Sequence, residues 1–124
     1  MGDIKRLLIV DDEETLTFSL YQSFINSPID CEVVTAASGE EALEKLETGP
    51  FDLVITDIAM PGIDGLELLE RIKQKMPQTR VIVITAYGSD EREETAYRLG
   101  ADKYIEKPFD IKEIKNLVFK LIEE

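Results

Sequence analysis

Three short, unbroken apolar runs constrain how this chain can fold. Leu7-Leu8-Ile9-Val10, Leu53-Val54-Ile55 and Val81-Ile82-Val83-Ile84 contain no polar residue. A strand that is apolar on both faces must be covered on both faces. Such strands belong at the centre of a parallel sheet packed between two helical layers. Around these runs, strand-type and helix-type segments alternate five times, which predicts an α/β fold. Strands are expected over 5–10, 31–36, 52–56, 80–85 and 102–105, and helices over 13–26, 39–47, 65–76, 90–99 and 111–123. Ser38 with Glu41, Asp64 with Glu67 and Asp110 with Glu113 have the spacing of capping boxes. Gly49-Pro50, Pro77 and Gly100 stop the second, third and fourth helices. A chain of 124 residues suits one domain, expected over 1–124.

Charge orders the strands. The second run carries Glu32, and the fifth carries Asp102 and Lys103 with Glu106 beside them. Polar strands suit sheet edges. With right-handed crossovers, the expected order is 2-1-3-4-5. The carboxyl ends of the first and third strands then flank the topological switch point, where ligand sites form in such sheets. Asp11-Asp12 follows the first strand and Asp57 the third. Three like charges in one cleft repel, so the chain must supply a counter-ion there, protonate, or lose stability. A divalent metal is the obvious counter-ion. Magnesium takes hard oxygen ligands in near-octahedral geometry at about 2.0–2.1 Å, commonly one or two carboxylates with water and phosphate oxygens. Asp12 and Asp57 are suited to ligate directly and Asp11 to hold a coordinated water. Taken alone, Asp11-Asp12 reads better as a helix N-cap with a first-turn charge. The expected nearness of Asp57 reverses that preference.

Composition narrows the chemistry. The formal net charge is −12, from 26 acidic and 14 basic residues. Such a surface repels nucleic acid, so no direct nucleic-acid binding is expected of this domain. No apolar run approaches the roughly 20 residues of a membrane span, so no membrane association is expected. Met1-Gly2-Asp3 leads directly into the first strand with no secretory signal. The one cysteine, Cys31, forms no internal disulfide and reads as a packed thiol, so a cytoplasmic location is expected. The absence of histidine rules out a Ser-His-Asp triad, histidine-ligated zinc and histidine general-base catalysis.

Other strand ends carry chemistry. Asp57 precedes Ile58-Ala59-Met60-Pro61-Gly62-Ile63-Asp64-Gly65, where Pro61 and the glycines shape a tight loop. A carboxylate there, next to a metal, can act as a nucleophile toward phosphorus. It is equally a common loop aspartate. Thr85 ends the fourth strand, where its hydroxyl and the Ala86 amide can donate to a phosphoryl oxygen. Alone, Thr85 reads as a β-branched strand residue. Lys107-Pro108 follows the fifth strand. A lysine pairs readily with phosphate, although most lysines are simply solvated. A cis bond at Pro108 would aim Lys107 inward. Phe109 and Ile114 have the spacing of a hydrophobic staple around Asp110.

As an ordered set, these residues resemble the receiver domain of two-component response regulators, from Leu7 to about Leu121. The resemblance rests on Ile9-Val10-Asp11-Asp12-Glu13, on Thr56 through Gly65, on Ile84-Thr85-Ala86 and on Lys107-Pro108-Phe109. It implies a flavodoxin-like (βα)5 three-layer sandwich. It implies that Asp57 accepts a phosphoryl group from a sensor histidine kinase or histidine phosphotransfer protein. Asp12, Asp57 and the Ala59 carbonyl would hold Mg2+, with Asp11 assisting through water and Mn2+ able to substitute. Thr85, the Ala86 amide and Lys107 would bind phosphoryl oxygens. Thr85 and Tyr104 would switch the surface of the fourth helix, fifth strand and fifth helix. Taken alone, Tyr104 reads as an edge-strand aromatic with a solvated hydroxyl. Ala59 and Tyr87 would tune dephosphorylation. Partners would be an output domain beyond Glu124 or a protein target, and a phosphorylation-linked dimer. The chain would be no enzyme beyond its own phosphorylation and slow hydrolysis.

Three readings concern this chain in particular. Phe18 lies off the Leu16-Leu20-Phe24 face, and is expected to be exposed as a docking point for the kinase or as a lone surface aromatic. Phe119 lies off the stripe of the fifth helix and is left to pack on a partner or an output domain. The fourth helix, with few apolar anchors beyond Ala96 and Leu99, is expected to be the most mobile. Competing functions are weaker. An aspartyl phosphatase or phosphomutase typically shows Asp-x-Asp, where this chain has Ala59. A flavin site would want a phosphate-cradling loop where this chain has Asp11-Asp12-Glu13-Glu14. A non-phosphorylated interaction module would not need all five site residues.

Overall fold

The computed structural model describes residues 4–28 and 30–123. Strands β1 (Lys5–Val10), β2 (Cys31–Ala36), β3 (Leu53–Asp57), β4 (Arg80–Thr85) and β5 (Lys103–Glu106) form one parallel sheet. Its order is β2-β1-β3-β4-β5, as strand polarity and crossover handedness predict. Helices α1 (Glu14–Ile25), α2 (Gly39–Leu46), α3 (Gly65–Lys75), α4 (Asp90–Arg98) and α5 (Ile111–Glu123) cover both faces.

Strand periodicity sorts the core into two layers. Leu8, Val10, Val54, Val81 and Val83 face one side, where they meet Leu46, Leu68, Ile72 and Ala96 from α2, α3 and α4. Leu7, Ile9, Leu53, Ile55, Ile82 and Ile84 face the other side, with Leu20 and Phe24 of α1 and Ile114 and Val118 of α5. Every apolar residue of the three central runs is fully buried. Phe119 belongs to this second layer. Its ring meets Phe24 edge-on, with centroids 5.9 Å apart and planes at 79°. That contact corrects the expectation that Phe119 awaits a partner: α5 presses its flank against α1, which widens the apolar stripe. Phe109 and Ile114 share the same core.

The shifts at strand starts have a physical cause. Asp52 and Asp102 precede β3 and β5 rather than open them. The Asp52 carboxylate accepts the Arg6 amide at 2.8 Å, and Asp102 accepts the Val81 amide at 2.8 Å. Each spends its side chain on a neighbouring strand's backbone. Two of the three predicted caps form: Ser38 accepts the Glu41 amide and Asp64 the Glu67 amide. Asp110 accepts instead from Lys112. Ser89, which the capping pattern did not single out, accepts the Arg92 amide and caps α4.

The turn after β3 depends on Gly65, where a Cβ would lie 2.2 Å from the Asp57 carbonyl oxygen and 2.5 Å from the Ile58 Cα. Backbone must move to admit it. Gly65→Ala is therefore expected to lower unfolding free energy by about 1–3 kcal/mol, the usual cost of overpacking, as read from denaturant midpoints. Among the described residues α4 buries only Ala96, whereas α5 buries Ile114, Val118, Leu121 and Ile122. Amides of α4 should exchange with deuterium faster than those of α5. Equal protection in the two helices would refute the ranking.

Candidate functional site

The β1–β3 register pairs Val10 with Thr56, so the residues that follow, Asp11 and Asp57, stand side by side at the switch point. Asp11 is 1% exposed and Asp57 4%, while Asp12 is exposed. One carboxylate oxygen from each of the three lies within 4.8 Å of the others. The two buried carboxylates are held alike. Asp11 Oδ1 accepts the Glu13 amide and Asp57 Oδ1 the Ala59 amide, each at 2.8 Å. Each Oδ2 accepts from Lys107 Nζ at 2.9 Å.

Lys107 reaches this point from the far side of β4. Its amide donates to the Thr85 carbonyl at 2.8 Å, and the following bond to Pro108 is cis, as expected. Its ammonium also donates to Glu13 Oε1 at 2.5 Å. Burial by itself lowers the Lys107 pKa; hydrogen bonds to Glu13, Asp11 and Asp57 outweigh it, and the net shift is upward. Burial raises the Asp11 pKa, only partly offset by the bonds from Lys107 and the Glu13 amide. Glu13 is the site residue that sequence reasoning missed. It read as the first residue of a helix, but α1 begins one residue later. The only signal was a third acidic residue next to the pair.

The remaining residues lie around this centre. Thr85 is fully buried, and its hydroxyl accepts the Tyr87 amide at 3.0 Å, which leaves its proton to donate. Ala86 is exposed and Tyr87 is 72% exposed. Tyr104 differs from an edge aromatic with a solvated hydroxyl. Its hydroxyl oxygen is buried against the layer of α2, α3 and α4, next to the Ser89 backbone. Room for it comes from Gly88, where a Cβ would lie 2.7 Å from that oxygen. Burial raises the Tyr104 pKa. Phe18 is 59% exposed, as expected. With Asp11, Tyr21, Thr35 and Glu41 it lines a groove of about 690 Å³ beside the acidic cluster. Cys31 is half-buried, and burial raises its thiol pKa, as suits a packed rather than reactive group.

A hard-oxygen donor set this compact fits Mg2+. It also fits a phosphoryl group, provided cations offset the carboxylates. The family model described as the response regulator receiver domain matches residues 7–119. The chain is 40% identical over 114 residues to the DNA-binding transcriptional regulator NtrC of Klebsiella pneumoniae, covering 92% of this chain and 24% of that protein. It thus spans about a quarter of that relative's length. It is 36% identical to sporulation initiation phosphotransferase F of Bacillus subtilis (strain 168), over 95% of this chain and 94% of that one. A crystal structure of a CheY-like response regulator receiver domain protein from Methanospirillum hungatei JF-1 superposes with a TM-score of 0.89. That likeness has 33% identity and covers 98% of this chain and 95% of the other.

The raised Asp11 pKa has a consequence for stability. A carboxyl whose folded-state pKa exceeds its unfolded value favours the folded state when protonated and opposes it when ionised. In metal-free protein at pH 7, Asp11 therefore costs stability. Asp11→Ala removes the titratable carboxyl together with both of its hydrogen bonds, and its denaturant midpoint relative to wild type should be highest at pH 7. That relative midpoint should drop as pH falls through the raised range toward the ordinary value of 3.8, where wild type regains the proton. Denaturant midpoints across that interval check the sign.

Proposed function

Because the chain belongs to the response regulator receiver domain family, we propose that it is a phospho-accepting switch with Asp57 as the acceptor. One observation carries this reading. Asp57 is a buried strand-end carboxylate, oriented by the Ala59 amide, with a lysine ammonium on its second oxygen and two further aspartates beside it. Phosphoryl transfer needs positioning and charge neutralisation more than covalent help from the protein. An Asp57 oxygen attacks the phosphorus of a phosphohistidine on a sensor kinase or phosphotransfer protein. The O–P bond forms as the N–P bond breaks. Lys107 shifts to a phosphoryl oxygen, and the Thr85 hydroxyl and Ala86 amide donate to the others.

Receiver domains bind Mg2+ at an acidic pocket. Here Asp12, Asp57 and the Ala59 carbonyl would hold it, with Asp11 through water; when bound, it neutralises charge that Lys107 alone does not offset. The chain performs this transfer on itself and slowly hydrolyses the product. Ala59 offers no side-chain hydrogen bond to an attacking water, and Tyr87 stands near the Thr85 end of the site, so both tune that hydrolysis. Phe18, beside its groove, serves as a docking point for the phosphoryl donor.

The output is carried by Thr85 and Tyr104. Thr85 turns toward the phosphoryl group, and the buried Tyr104 hydroxyl gains or loses company as the turn beside Gly88 moves. The weakly anchored α4 then shifts with β5 and α5. That surface acts on an output domain, a protein target or a second copy of the chain. The setting is the cytoplasm. Among the described residues no helix is long and apolar enough to cross a membrane.

The test is intact mass after incubation with acetyl phosphate, with and without Mg2+, for wild type and Asp57→Asn. A Mg2+-dependent phosphate adduct on wild type, lost in Asp57→Asn, is expected. An adduct that persists in the variant would overturn the assignment.

A further inference from the structure

A lysine ammonium has three protons to donate and no acceptor. In Lys107 all three are taken, by Asp11, Asp57 and Glu13. A further anionic oxygen can be bound only if one carboxylate lets go. The three are not equivalent. The side chains of Asp11 and Asp57 are 0% and 6% exposed, whereas that of Glu13 is 60% exposed. Releasing a buried carboxylate strands a charge in a low-dielectric site. Releasing Glu13 returns it to water at little cost.

We propose that Glu13 is a positioning residue that holds the Lys107 proton destined for the incoming phosphoryl group, and that transfer proceeds by exchange of Glu13 for a phosphoryl oxygen on that ammonium. The inference rests on the reading of Asp57 as acceptor. Glu13 undergoes no covalent change. The Asp57 oxygen forms the new O–P bond, the donor's bond to phosphorus breaks, and its leaving group departs with that electron pair. Glu13 only exchanges the ammonium for water. Little else must move, because its backbone is anchored: its amide donates to Asp11 Oδ1 at 2.8 Å and its carbonyl accepts the Thr17 amide at 3.1 Å. The exposed pair is thus a resting-state latch on Lys107, and it slows loading by small anionic donors.

The experiment measures the rate of adduct formation from sub-saturating acetyl phosphate with Mg2+, by intact mass on the full chain. Glu13→Gln should raise the rate roughly two- to fivefold, the range that loss of an exposed ion pair allows. Glu14→Gln removes the same charge one residue further on and should change the rate less. In a Lys107→Ala background the Glu13→Gln gain should vanish. In metal-free protein without donor, the 15N signal of the Lys107 ammonium should shift in Glu13→Gln and not in Glu14→Gln. If Lys107→Ala takes up no measurable phosphate, that signal decides. A wild-type rate in Glu13→Gln, an equal gain in Glu14→Gln, a gain that survives Lys107→Ala, or an unmoved ammonium signal would each overturn the proposal. No adduct on wild type would remove the acceptor reading together with it. An adduct on wild type without the Glu13 response removes the inference alone.

Discussion

Lys107 hydrogen-bonds at 2.9 Å to both Asp11 and Asp57, and this pairing lets two buried carboxylates stand at adjacent strand ends. Without it, two like charges would share a site with almost no access to water. The surrounding structure serves the pairing. The cis Lys107–Pro108 bond follows a backbone tie to Thr85, and the side chain then crosses the end of β4 to the β1–β3 seam. Backbone amides of Glu13 and Ala59 take the other carboxylate oxygen on each side. The pairing is still incomplete for Asp11, whose pKa stays raised by burial. Asp12 adds a third carboxylate beside them, and the three together form a donor set that fits a divalent cation.

The scaffold divides into a rigid centre and a loosely held flank. The central strands are buried on both faces, and α1 and α5 are clamped by Phe24, Phe119 and the aliphatic residues around them. At the other end, α4 buries a single alanine, and beside it the Tyr104 hydroxyl is buried. A helix with so little apolar anchorage is the one least costly to move. The site and this flank meet at Thr85, whose hydroxyl holds the Tyr87 amide and whose carbonyl holds Lys107.

Much of this was legible along the chain. The alternation of Leu7 and Ile9 against Leu8 and Val10 assigns faces, and Glu32, Asp102 and Lys103 mark the edges. From those patterns the strand order follows, and from the order the meeting of Asp11 with Asp57. The errors share a cause. Asp52 and Asp102 looked like strand residues because pattern does not reveal that a carboxylate will take a neighbouring strand's amide. Phe119 looked unpartnered because its stripe was read from one helix, while the Phe24 ring belongs to another.

The sequence by itself determined the layers, the strand order and the placing of three carboxylates at one end of the sheet. Those follow from periodicity, polarity and crossover handedness, which are written in the local order of residues. Only the tertiary structure decided how Lys107 shares its protons among Asp11, Asp57 and Glu13. Lys107 lies 94 residues from Glu13 and 96 from Asp11, at the tip of a flexible side chain. Its partners depend on how far that tip reaches across folded strands, and on which carboxylates are dry enough to hold it. The burial of the Tyr104 hydroxyl was decided the same way, by the space left at Gly88. Patterns along a chain report which face a residue takes. Distances between faces, and the access of water to them, exist only once the layers have packed.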